Sequence, residues 1–189
     1  MDFVNLPRAA LALLVAGWCT AASAAQPSFA SQFPARVLAA HNAERLRMGM
    51  PPLVWDNALG TGAAAYAQQM AATGMFQHSN RQARRGIGEN LWMGTHGAFS
   101  VEAMVGGWTA EKRYFVPGVF PNNSSSGNWE DVGHYTQMIW PSTNRVGCAV
   151  ATGRGIDYLV CRYATAGNID GRMVGYRLAA NGTAARYRR

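Results

Sequence analysis

Two histidines and two glutamates lie in stretches that have little other reason to be polar. His78 follows Phe76-Gln77, and Glu89 stands in Gly88-Glu89-Asn90. Glu111 comes three residues after Trp108, and His134 opens the run His134-Tyr135-Thr136-Gln137-Met138-Ile139-Trp140. Each of the four sits beside an aromatic residue or a glycine, which points to one polar pocket built from four places in the chain. Neutral imidazole nitrogen suits zinc, and carboxylates complete such a site or hold a water beside it. A site with two histidines is open, so a bound water could be acidified, with a glutamate as base. If the chain is a hydrolase, Glu111 and His134 are the catalytic candidates; otherwise no catalytic residue is assigned. His78 and His134 do not have the i, i+4 spacing of a helical zinc motif, so the metal reading rests on the fold bringing them together. The competing reading is a hydrogen-bonded network that specifies the fold. Ser79 follows His78 without the other members of a nucleophilic triad. His41 and His96 read as structural histidines.

The elements that must position these residues follow from periodicity and punctuation. A first helix is expected over 34–48, with Gly49 ending it and Pro51-Pro52 preventing continuation. A second begins after Asp56 or Asn57, repeats Leu59, Ala63, Tyr66 and Met70 at helical spacing, and closes at Gly74. A third starts near Ser100, with Val101, Met104, Trp108 and Phe115 on one apolar face. Glu111 is expected to share that face, where a carboxylate must be paired, liganded or at a pocket mouth. Residues 120–127 read as a loop, and 134–140 as a short helix. Residues 146–150 and 158–163 read as strands of a hairpin folded about Arg154 and Gly155, which sets Cys148 opposite Cys161 within disulfide reach.

The N-terminus has Arg8, an apolar run from Ala9 to Trp18, and small residues through Ala25, the pattern of an export leader removed after about residue 25. Removal would take Cys19 and leave Cys148 and Cys161 in an oxidising compartment, secreted or periplasmic. A single domain is expected over 26–180, followed by a basic tail, 181–189, that frays. Of the 189 residues, 49% are hydrophobic, which excludes disorder. The net charge of +7 is almost wholly arginine, with Lys112 the only lysine. With the many alanines, this composition points to a bacterial source, and a basic surface favours anionic walls or membranes. No nucleic-acid motif accompanies the arginines.

Six pieces in order resemble the CAP superfamily: cysteine-rich secretory proteins, venom allergens and plant pathogenesis-related proteins. They are His41-Asn42-Ala43-Glu44-Arg45 with Pro52-Leu53-Val54-Trp55-Asp56, then His78-Ser79, Gly88-Glu89-Asn90-Leu91-Trp92, Trp108 with Glu111, the run 133–140, and 158–163 with Gly167-Asn168. The resemblance implies an α+β fold, a three-layer α-β-α sandwich with a central antiparallel sheet. It also implies a cleft tetrad of His78, Glu89, Glu111 and His134, with the two histidines able to bind Zn2+ or another divalent cation. Three functions stay open. One is a module binding a lipid, sterol or small amphiphile, with the stretch 114–120 as an apolar loop. The others are a metal-dependent peptidase or esterase, and a non-catalytic wall- or host-interaction protein. A monomer is the default expectation.

Overall fold

A computed structural model describes residues 29–175, together with the strand residues 177–178 and 184–185; the expected leader, and with it Cys19, lies outside the described residues. Helix α1 spans Phe29–Arg47, strand β1 Val54–Trp55, helix α2 Asn57–Thr73 and strand β2 Ile87–Thr95. Helix α3 covers Val101–Thr109, β3 Gly118–Val119, α4 Gly133–Met138, β4 Arg145–Gly153, β5 Ile156–Ala164 and β6 Met173–Val174. The strands β7, Arg177–Leu178, and β8, Ala184–Ala185, pair antiparallel, so the expected frayed tail contains a short paired segment.

The main sheet has the order β1-β4-β5-β2. The three long strands are antiparallel, and the two-residue β1 joins the sheet parallel to β4, which makes the sheet mixed. Alternation along β5 divides the interior. Leu159, Cys161 and Tyr163 face a core shared with Val37 of α1, Val101, Val105 and Trp108 of α3, and Met138 of α4. Tyr158 and Val160 face the other way, toward Ala63, Ala67, Met70 and Ala71 of α2. The result is the expected sandwich: α2 on one face, and α1, α3 and α4 on the other.

Local signals explain the boundaries. Asp56 caps α2 by accepting from the Leu59 amide at 3.0 Å, and Gly74 closes it in the left-handed region at φ 77°. The small residues of α2 bring it close against β4. A β-carbon on Gly147 would lie 2.2 Å from the Gly60 nitrogen, and one on Gly153 would lie 2.1 Å from the Ala71 carbonyl oxygen. Only glycine permits that approach. The β4–β5 hairpin turns at Arg154 and Gly155 and pairs Cys148 with Cys161, which are joined in a disulfide with Cα atoms 4.1 Å apart. The cysteines are 13 positions apart, so the bridge closes a short loop and stabilises by about 3 kcal/mol, chiefly by restricting the unfolded chain.

Two expectations are corrected. Helix α1 begins at Phe29 rather than at Pro34, which lies within it. Helix α3 stops at Thr109, and Glu111 lies on the 3-10 turn Ala110–Arg113 that follows. Phe115 therefore leaves the α3 face and packs edge-on against Tyr135 of α4.

Candidate functional site

β2 is an edge strand, and the four predicted residues gather around it as two dyads. Glu89 has the same parity in β2 as Leu91 and so points to the α2 face. Its side chain is fully enclosed, and its Oε1 accepts from His78 Nδ1 at 3.0 Å and from the Ser79 amide at 2.9 Å. Its Oε2 accepts from the Ser79 hydroxyl at 2.6 Å. Arg162 of β5 stands directly across the ladder from Glu89, with Nε 3.6 Å from Oε2, and Arg84 Nε is 3.7 Å from Oε1. Burial pushes the Glu89 carboxyl up, but donation from His78 and Ser79 and the positive charge of Arg84 outweigh it, so its pKa lies below the ordinary carboxylate value.

The second dyad belongs to the opposite layer. Glu111 Oε1 is 2.6 Å from His134 Nδ1, and its Oε2 accepts from the amides of His134 and Tyr135 at 2.9 and 3.0 Å. These are among the first amides of α4, which have no partner within the helix. One carboxylate thus caps the helix and fixes the imidazole that the helix carries. Trp108 supports the arrangement from beneath. Its ring lies nearly parallel to His134, 15° between planes with centroids 6.1 Å apart. Its indole N–H donates to the Leu91 carbonyl at the outer edge of β2, 2.9 Å away. Asn90, on the same face of β2, donates to the His134 carbonyl at 3.0 Å.

In both dyads the carboxylate engages Nδ1, which fixes the ring and leaves Nε2 as the nitrogen with an available lone pair. Among the described residues Nε2 of neither ring has a hydrogen-bond partner, and the His78 and His134 side chains are 51% and 34% exposed. Among the same residues no group of three or more His, Cys, Asp or Glu side chains is arranged to hold a metal ion. Each dyad therefore offers one imidazole nitrogen with a lone pair, and one carboxylate that orients the ring. A closed structural site is not built here.

His41 and His96 are structural, as their contexts suggested. His41 is buried, with Nδ1 donating to the Val37 carbonyl and Nε2 accepting from the Tyr163 hydroxyl, both at 2.8 Å. His96 pairs with Asp157 at 2.8 Å. In the stretch 114–120, Phe115 and Phe120 are committed to packing, whereas Tyr114 and Val116 are each 39% exposed. Sequence reasoning gave no role to Arg84 or Arg162. The one signal for Arg162 was its alternation with Tyr158 and Val160, which becomes informative only once β5 is known to pair with β2.

Comparison with known proteins matches the cysteine-rich secretory protein family, CAP, over residues 38–163. Pathogenesis-related protein 1C of Nicotiana tabacum is 35% identical over 136 residues, 71% of this chain and 76% of the relative. Secreted protein RBT4 of Candida albicans is also 35% identical, over 145 residues, which is 75% of this chain and 37% of that longer protein. Among solved structures, NaASP2 with Zn2+ superposes with a TM-score of 0.65 at 26% identity, covering 75% of this chain and 84% of NaASP2.

Proposed function

The chain belongs to the CAP family of cysteine-rich secretory proteins, and on that premise we propose that it is an exported binding module whose two histidines take up a divalent cation. The observation that carries this reading is the pair of dyads, each with Nδ1 tied to a carboxylate and Nε2 without a hydrogen-bond partner among the described residues. His78 and His134 would hold the cation, and Glu89 and Glu111 would orient them. The zinc in the NaASP2 structure supports the choice of metal. A cation held this way supplies Lewis acidity and a place for a water or an anionic group. The disulfide and the secreted relatives support an extracellular setting.

Binding is preferred over hydrolysis because neither carboxylate is free to act as a base. Both oxygens of Glu111 are engaged by three donors, and those of Glu89 by His78 and Ser79. Zinc titration by calorimetry is expected to give one site per chain. We expect His78→Ala to weaken it at least ~10-fold, as loss of a ligand or its orienting partner typically does. The His78→Ala/His134→Ala variant should not bind, while keeping the wild-type circular dichroism. A folded wild type that binds no zinc, or a double variant that binds equally well, sinks the reading.

A sterol or fatty-acid ligand is a second reading, favoured by the exposed Tyr114 and Val116 on a loop that Phe115 and Phe120 anchor. Uptake of a fluorescent sterol should fall several-fold in Tyr114→Ser/Val116→Ser. Equal uptake by both proteins removes the loop from consideration.

A further inference from the structure

An open depression of about 450 Å³ lies between α2 and the segment 77–83, on the α2 side of the sheet. Its walls include Tyr66 and Gln69 of α2, Gln77, Asn80, and the guanidinium of Arg162. Arg162 is the unusual member. Its side chain is only 16% exposed, yet among the described residues none of its N–H groups has a hydrogen-bonded protein acceptor. The 3.6 Å separation from Glu89 Oε2 is too long for a hydrogen bond, and the better donors, His78 and Ser79, already occupy that carboxylate. Arg84 differs, since its donors reach the carbonyls of Ser79 and Ile87.

The Arg162 Nε is buried without a hydrogen-bond partner, and a buried donor left unmet is costly. The surroundings leave space for a partner rather than filling it. Gly62 keeps the wall open beside Nη1, where a β-carbon would come within 2.9 Å. The Tyr66 ring lies 5.9 Å from the guanidinium carbon, and its hydroxyl donates to the Gln77 carbonyl, which ties the loop to α2. A planar fork of donors matches a carboxylate or phosphate two bonds at a time. The side-chain amides around it suit hydroxyl groups, and the volume suits a ligand of about sugar size.

We infer that this pocket binds a small polar oxyanion, a carboxylate- or phosphate-bearing molecule of about monosaccharide size, with Arg162 gripping the anionic group. The site is separate in its chemistry from cation capture at the two histidines, although His78 stands on its rim.

The test is calorimetric titration in metal-free buffer, so that its outcome does not depend on zinc binding. The probes are glucuronate, glucose 6-phosphate and glucose. At least one of the two anions should bind, with glucose at least ~10-fold weaker. Preference between the two anions identifies the oxyanion. We expect Arg162→Gln to weaken binding at least ~10-fold, the scale of a lost charge-assisted bond. Arg172→Gln, which removes one exposed positive charge elsewhere, should change it less than ~2-fold. Should Arg162→Gln fail to fold, Ala65→Phe decides. It fills the pocket from an exposed helical position and keeps the Arg162 side chain and the Glu111–His134 dyad. The inference fails if neither anion binds the wild type, if Ala65→Phe binds as well as wild type, or if Arg172→Gln loses as much as Arg162→Gln.

Discussion

Arg45→Met is expected to remove about 3 to 5 kcal/mol of folding stability, a large share of the roughly 5 to 15 kcal/mol that a domain possesses. Arg45 is 1% exposed, and among the described residues no carboxylate forms a salt bridge with it. Its donors go to main-chain carbonyls: Nε to Pro51 at 2.7 Å, Nη1 to Met138 and Trp140 at 2.9 and 3.0 Å, and Nη2 to Thr143 at 2.8 Å. These ties fasten the end of α1 to the proline turn after it and to the chain leaving α4. The Met138 carbonyl is one of the last of α4, where a positive charge is favourable. Burial lowers the Arg45 pKa to about 10, which still leaves it charged in any physiological buffer. Methionine fills the space and satisfies none of the four carbonyls, and that desolvation cost is what urea denaturation would read. Arg45→Lys should recover only part of the loss, because an ammonium cannot span the same set. A loss below about 1 kcal/mol for Arg45→Met would mean that water replaces the guanidinium.

Acid is expected to cost the protein about 3 kcal/mol through His41 alone. Burial holds the His41 pKa down at about 4, against an ordinary 6.5, with the nearby Arg45 charge adding to the effect. Val37 offers only a carbonyl, so Nδ1 carries the hydrogen, Nε2 accepts from Tyr163, and the folded ring is neutral. Below about pH 6.5 the unfolded chain binds a proton that the folded chain refuses. Stability therefore falls with pH from there to about pH 4, by up to about 1.4 kcal/mol per unit. Above pH 6.5 this residue adds no slope. Glu89, whose pKa is lowered from 4.5, acts in a separate window. Its contribution is present above its unfolded value and is lost only as pH falls through the depressed one. Denaturation midpoints measured from pH 4 to 8 should show the slope in wild type and a flatter line in His41→Gln. An unchanged slope in that variant would assign the acid sensitivity to other groups.

Much of the frame was legible because its signals are local. Asp56 and Gly74 mark the two ends of α2, and the turn at Arg154 and Gly155 fixes the hairpin register that joins the cysteines. The motif resemblance located the four dyad residues and the three layers. What escaped was set by distant pairing. The placement of Glu89 and Arg162 on one face depends on β2 pairing with β5, which nothing near either residue encodes. Phe115 kept the spacing of the α3 stripe, yet periodicity has meaning only while the helix lasts, and α3 ends at Thr109. Arg45 and Arg162 stand inside family motifs with no role of their own in the sequence, since nothing local signals that a charged side chain is enclosed. Their burial follows from acceptors and space contributed by remote segments.

The edge strand β2 separates the two dyads, one carried by the α2 side and the other by the α3–α4 side. Each dyad is consequently carried by its own slab of the sandwich. A ligand gripped by both would act as a clasp over a seam, pinning together slabs that lie on opposite faces of the sheet. By the same logic, a substitution deep under either slab can change how the two jaws meet while leaving every residue of both dyads in place.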